Sequence, residues 1–201
     1  MAFRLNDENA PASQGGGDEI LRWKRRLERG PAAEKEMAAE RLVQLRAEEA
    51  LTDCLAAPDP LAVQLATRAL WECWLSEQGS IARREIEKGI SRMNDGDLEG
   101  ALEAFGKLVR KYPHWAEAYN KQATVLYLLG NARLSLKVAR IVVSLKPNHF
   151  GAWNGMALCA AHLERWQVAL NAARKALSLQ PSTQANLDLI QLAQTKLSEQ
   201  S

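Results

Sequence analysis

Three prolines, Pro113, Pro147 and Pro181, stand 34 residues apart, twice over. Proline has no backbone donor and its ring clashes with the preceding helical turn, so a proline that recurs at one interval marks the same helix end each time. An interval of 34 residues is the length of one helix-turn-helix unit. Such a unit cannot bury its apolar face alone, and several in series bury one continuous core by stacking. The stretch from about Ile81 to Pro181 is therefore predicted to be an all-α helical solenoid.

Aligning the units 82–115, 116–149 and 150–183 shows what else recurs. The eighth place reads Gly89, Ala123, Ala157, and the twentieth reads Ala101, Ser135, Ala169. The twenty-fourth reads Phe105, Ala139, Ala173, and the twenty-seventh Leu108, Val142, Ala176. Short side chains at the eighth and twentieth places let two helix axes approach to about 8 Å, and Tyr119 and Trp153 at the fourth place fill the space beside them. This pattern resembles the tetratricopeptide repeat over roughly half of the chain. The resemblance implies a right-handed solenoid whose first helices line a concave groove, acting as a non-enzymatic protein-interaction scaffold or assembly factor. The first unit departs from the pattern: Glu85, Lys88 and Arg92 occupy packing places, and Ile86, Ile90 and Met93 carry the apolar stripe instead. Something earlier in the chain is expected to pack on that stripe.

Residues 1–33 contain Pro11, Gly15-Gly16-Gly17 and Gly30-Pro31 with no sustained period and read as a tail. Its basic run, Arg22-Trp23-Lys24-Arg25-Arg26, reads as a short solvated helix before a nucleic-acid or membrane patch. Residues 34–79 read as a helical hairpin, a degenerate repeat. Leu42, Leu45, Leu51, Cys54 and Leu55 give its first helix an apolar face up to Pro58. Asp59 caps a second helix that starts at Pro60. That second helix has almost no polar side around Leu70, Trp71, Cys73, Trp74 and Leu75, which implies burial from two directions, by the preceding helix and by the Ile86 stripe. Gly79 reads as its stop and Ser80 as the next N-cap, while Asn148 and Ser182 are the expected caps after two of the prolines. A Trp-rich hairpin followed by such repeats also resembles, more loosely, a group of bacterial-type tetratricopeptide proteins. Residues 184–201 read as a polar closing helix with Leu187, Ile190 and Leu197 on its apolar side.

Charge excludes little and motifs exclude more. The net charge is +2, and it divides into 10 basic and 14 acidic groups over residues 1–79 against 16 and 10 over residues 80–201. That mild, interspersed excess argues for a solvated surface, and no nucleic-acid partner is expected. No apolar run approaches the ~18 residues of a membrane span. No phosphate-binding, hydrolase or zinc-protease motif occurs, so no cofactor, metal or catalytic residue is assigned. Cys159 and His162 share a helical spacing but lack a third ligand or an orienting carboxylate, and read as structural. Three cysteines, Cys54, Cys73 and Cys159, form no CxxC pair, which points to a reducing compartment, cytoplasmic by default and organellar if a presequence has been removed.

The resemblance places the second, fifth, ninth, twelfth and thirteenth positions of each first helix in the groove. The candidate protein-binding residues are thus Asn120, Thr124, Tyr127, Leu128, Asn154, Leu158 and His162, with Asn120 and Asn154 suited either to hold a peptide backbone or to cap the solenoid's own polar groups. Tetratricopeptide domains that grip acidic chaperone tails are similar to one another in basic and Asn residues at five places. Here those places hold Ile86, Ile90, Lys121, Gly151 and Gly155, so that clamp is not carried over. Two alternatives stay open: a structural subunit whose Trp-rich hairpin forms a homodimer seam, and an RNA-binding helical repeat. Partner and oligomeric state are not legible.

Overall fold

The computed structural model describes residues 14–181 and 183–200. Among them it contains eleven α-helices and no strand: α1 (Gln14–Arg29), α2 (Ala32–Gln44), α3 (Glu48–Asp53), α4 (Pro60–Leu75), α5 (Gly79–Asn94), α6 (Leu98–Lys111), α7 (Ala116–Leu128), α8 (Ala132–Leu145), α9 (Phe150–His162), α10 (Trp166–Leu179) and α11 (Gln184–Ser198). The chain divides into two units, up to Ala69 and from Leu70, and the division falls inside α4.

In the first unit, Gln14–Arg29 is a helix where the sequence reads as tail. Ile20 and Trp23 are half-buried and Leu27 is fully buried, a face at i, i+3, i+7 that the glycine triplet obscures. The basic run does lie on this helix. Lys24 pairs with Glu28 and Asp53 at 3.1 and 3.4 Å, and the Arg26 guanidinium sits 4.8 Å above the Trp23 ring. Arg41 ties α2 back to Glu19 of α1 at 2.8 Å. The run expected to continue unbroken to Pro58 divides at Arg46, whose φ of 51° puts a non-glycine residue in the left-handed region. Nothing in composition marks that break. Asp59 caps α4 through Leu61 N–H at 2.9 Å, and its other oxygen takes the ammonium of the buried Lys35.

From Leu70 onward the helices form antiparallel pairs, α5 with α6, α7 with α8 and α9 with α10, closed by α11. Each pair turns on a left-handed residue at the same place: Gly96 (φ 84°), Gly130 (φ 78°) and Glu164 (φ 55°). In the first of these turns Gly96 N–H bonds Met93 and Asp97 N–H bonds Arg92, satisfying carbonyls the helix end would orphan. Asp97 and Asn131 then cap the second helices through Gly100 N–H and Leu134 N–H at 2.9 and 3.1 Å. The small residues pack as their period requires. Ala101, Ala157, Ala169 and Ala173 are fully buried, and a methyl on Gly89 would lie 2.6 Å from the Phe105 ring.

Four expectations are corrected. After the second proline the N-cap is His149, whose Nδ1 accepts from Ala152 N–H at 3.1 Å; Asn148 is exposed one residue too early, because the turn from Lys146 to His149 spans the proline. Ser182 lies outside the described residues, and Thr183 is the cap residue there. Helix α5 begins at Gly79, preceded by Gln78, so Ser80 is already helical. Leu187 is 43% exposed, since the seam of α11 runs through Ile190, Ala193 and Leu197, about a third of a turn away. Finally, of the Trp-rich segment it is Leu75 that packs on the cluster around Ile86, Ala101 and Phe105 with Ile90 and Met93. The two tryptophans turn elsewhere.

Candidate binding groove

Helices α7 and α9 stand side by side because Ala123, Ala139 and Ala157 leave no bulk between them and α8. Their facing sides enclose a cavity of about 220 Å³ lined by Asn120, Thr124, Tyr127, Asn154 and Leu158 among others. The structure thus brings five of the seven candidate residues together. Leu128, 54% exposed, and His162, exposed and edge-on to the Tyr127 ring at 6.0 Å, do not line this cavity.

Asn120 and Asn154 occupy equivalent places and behave differently. Asn120 is 8% exposed and its Nδ2 donates to Glu117 at 3.2 Å, so it serves an internal polar group. Three residues before Asn154 stands Gly151, which offers no such partner, and Asn154 Oδ1 is buried without a hydrogen bond. Gly155 lines the same cavity with open space where a Cβ would be, exposing helix backbone to whatever lies there. The sequence places Gly155 only at a vacant clamp position and not among the candidate binding residues, although its spacing from Gly151 and from Leu158 puts it on the groove side. The cavity's rear wall holds Cys159, whose thiol donates to Ser135 Oγ at 3.1 Å while Ser135 donates to the Ala123 carbonyl at 2.7 Å. Burial raises the Cys159 thiol above its ordinary range. Cys159 and His162 therefore face different surroundings, one interior and one exposed.

The N-terminal ends of α7 and α9 carry a second cluster that the sequence did not reveal. Glu117 and His149, 32 residues apart, are both fully buried and lie 2.9 Å from each other. Because His149 Nδ1 accepts the capping N–H of Ala152, the ring proton belongs on Nε2, which donates to Glu117 Oε2. Lys121 Nζ stands 3.0 Å from the other carboxylate oxygen, an ion pair too bent for a hydrogen bond, and 4.9 Å from the Trp71 ring centre. Trp74 stacks on the imidazole at 4.0 Å between centroids and 21° between planes. Trp71 meets His149 and Phe150 edge-on at 5.5 and 5.4 Å, and a methyl on Gly151 would come 2.6 Å from its ring. Trp115 Nε1 donates to the Trp74 carbonyl at 2.8 Å. The last turns of α4 therefore pack over the first turns of α7 and α9, which explains why Glu117, at the second place of its repeat, is covered, while Gly151 at the equivalent place still lines the cavity.

Among the described residues, no group of three His, Cys, Asp or Glu side chains is placed to hold a metal ion, and no helix is long and apolar enough to cross a membrane. No family model matches the chain. It is 29% identical over 97 residues to a TPR repeat-containing protein of Rhizobium etli, a match covering 48% of this chain and 48% of the relative, so it spans about half that relative's length. Among solved structures, a MamA protein aligns with a TM-score of 0.56 and 16% identity over 83% of this chain and 84% of that one. The first TPR of Spaghetti (RPAP3), bound to the HSP90 peptide SRMEEVD, aligns with a TM-score of 0.56 and 16% identity over 57% of this chain and 90% of that one. Fold and register together define a solenoid of stacked helical hairpins. By these likenesses its fold is that of the tetratricopeptide-repeat solenoids, and part of the chain is similar in sequence to a TPR repeat-containing protein.

Proposed function

We propose that this chain is a non-enzymatic protein-interaction scaffold that receives an uncharged peptide segment in the groove between α7 and α9. The observation that carries the reading is Asn154 Oδ1, an acceptor buried in the cavity wall without a partner. An unsatisfied buried acceptor costs about 1 to 3 kcal/mol, and the backbone N–H of a peptide laid along the groove would recover it. Thr124, Tyr127 and Leu158 supply adjacent polar and apolar area, and the bare backbone at Gly155 admits close approach.

The related fold of the RPAP3 domain with an HSP90 peptide supports a peptide partner in general. An acidic tail is disfavoured in this groove. The place that holds a cation, Lys121, is already engaged by Glu117 and Trp71, and Ile86 is fully buried. A homodimer seam through Trp71 and Trp74 is disfavoured as well, because both rings pack on His149 and Phe150 within the chain.

The test is selection of random peptides on the full chain, followed by calorimetry against two variants. Gly155→Leu places a side chain in the empty volume and removes a helix-interior glycine, so it should preserve the fold while abolishing binding. Asn154→Ala should weaken binding by about 0.5 to 1.5 kcal/mol. Selected peptides that bind Gly155→Leu as tightly as the parent would place the working surface elsewhere. Asn120 is unsuitable for this test, because replacing it strips a donor from the buried Glu117.

A further inference from the structure

In the second and third repeats, the fourth, seventh and eleventh places hold Tyr119, Gln122, Leu126 and Trp153, Met156, Ala160. The first repeat has Glu85, Lys88 and Arg92 there, and with Lys107 and Lys111 of α6 they line a surface cleft of about 260 Å³. Its floor is aliphatic, formed by Ala104 and the buried Leu108. Lys88 and Arg92 are one turn apart on α5, and Lys107 and Lys111 are one turn apart on α6. Like charges at that spacing weaken a helix, so two such pairs turned toward one cleft are a cost to the fold that the neighbouring acidic groups offset only in part.

The acidic groups nearby compensate only part of this charge. Glu85 holds Lys111 at 3.1 and 3.2 Å, and Glu103 holds Lys107 at 2.7 Å. Asp97 stands 3.9 Å from Arg92, and Lys88 has no acidic partner among the described residues. The lining carries four positive side chains against one negative.

We propose that the α5–α6 cleft docks an acidic segment of a partner protein. The segment would present two carboxylates about one helical turn apart to Lys88, Arg92 and Lys107, with one apolar side chain seated on Leu108. A protein segment fits better than nucleic acid for two reasons. The same helix pair exposes Glu87, Asp95, Asp97, Glu99 and Glu103, which would repel a phosphate backbone running past. The lining also holds no aromatic ring on which a base could stack. This site lies on different helices from the α7–α9 groove and does not depend on that reading.

Fluorescence anisotropy on the full chain tests it with a labelled peptide of repeated Glu-Glu-Leu triplets. A labelled oligouridylate of equal charge and phosphatidylserine vesicles serve as competing probes. The expected result is peptide binding that fades at high salt, falls by about tenfold or more in Lys88→Glu/Arg92→Glu, and is unchanged in Gly155→Leu. Both reversed side chains are exposed, so the fold should survive; if circular dichroism shows otherwise, Lys88→Gln/Arg92→Gln replaces that variant. Three outcomes overturn the proposal: binding no tighter than to a Gly-Ser-Leu peptide, tighter binding of oligouridylate or vesicles, or insensitivity to both double variants.

Discussion

Glu117 and His149 form a fully buried pair, and the energetic risk of such a pair lies in losing one member. Removing the carboxylate strands His149 Nε2–H, Lys121 and Asn120 together, so Glu117→Ala is expected to lower stability by about 3 to 5 kcal/mol in urea denaturation. Glu117→Gln, which keeps an acceptor for His149, should cost clearly less. The cysteines respond to burial in a simpler way. Desolvation, helped by the neighbouring Glu28 carboxylate, pushes the Cys54 thiol up to about 12, and burial raises Cys159 in the same direction. A raised thiol carries almost no thiolate at pH 8, and thiolate is the reactive form. Ellman's reagent at that pH is expected to titrate essentially no thiol in the native chain and all three after denaturation. Prompt native reaction at Cys54 would mean that its helix opens readily. These residues also show the limit of reading a chain in line. The repeat register places Glu117 and His149 correctly in the sequence, but their meeting depends on which side chains from α4 cover them, and no spacing rule reports that. Asn120 and Asn154 looked interchangeable for the same reason, and the neighbour three residues back decides between them.

At the scale of helices and turns, the repeats were legible because each packing place admits only a narrow range of volumes. Gly89 against Phe105, and the run of buried alanines, leave a periodic trace that proline punctuates. Of helix α1 only a short helix at the basic run was legible, because one fully buried leucine and two half-buried apolar residues make a weak period behind three glycines. The division at Arg46 was hidden too, since a left-handed residue without glycine leaves no compositional mark. Glu164 is its counterpart in the third repeat, at the place where the others use Gly96 and Gly130. The strain there makes a direct prediction: Glu164→Gly should raise stability by about 1 kcal/mol, read as a higher denaturation midpoint with an unchanged slope. An unchanged or lower midpoint would mean that the glycine's unfolded-state entropy outweighs the relief of strain.

For the molecule as a whole, the end of α4 contributes side chains to the repeat array itself. Trp71 and Trp74 cover His149, Phe150 and Gly151, and Leu75 joins the Ile86 cluster. A shortened chain starting at Ile81 would leave all of these open to water. Its denaturation midpoint is expected to fall well below that of the full chain, with weakened near-ultraviolet dichroism from lost ring contacts. Equal midpoints would show that the α4 contacts contribute nothing to the array.

The wall that Trp71 builds beside Gly151 and Lys121 also means that the last turns of α4 touch the first turns of both α7 and α9. A change at Trp71 would therefore reach the groove helices without altering any residue that lines the cavity.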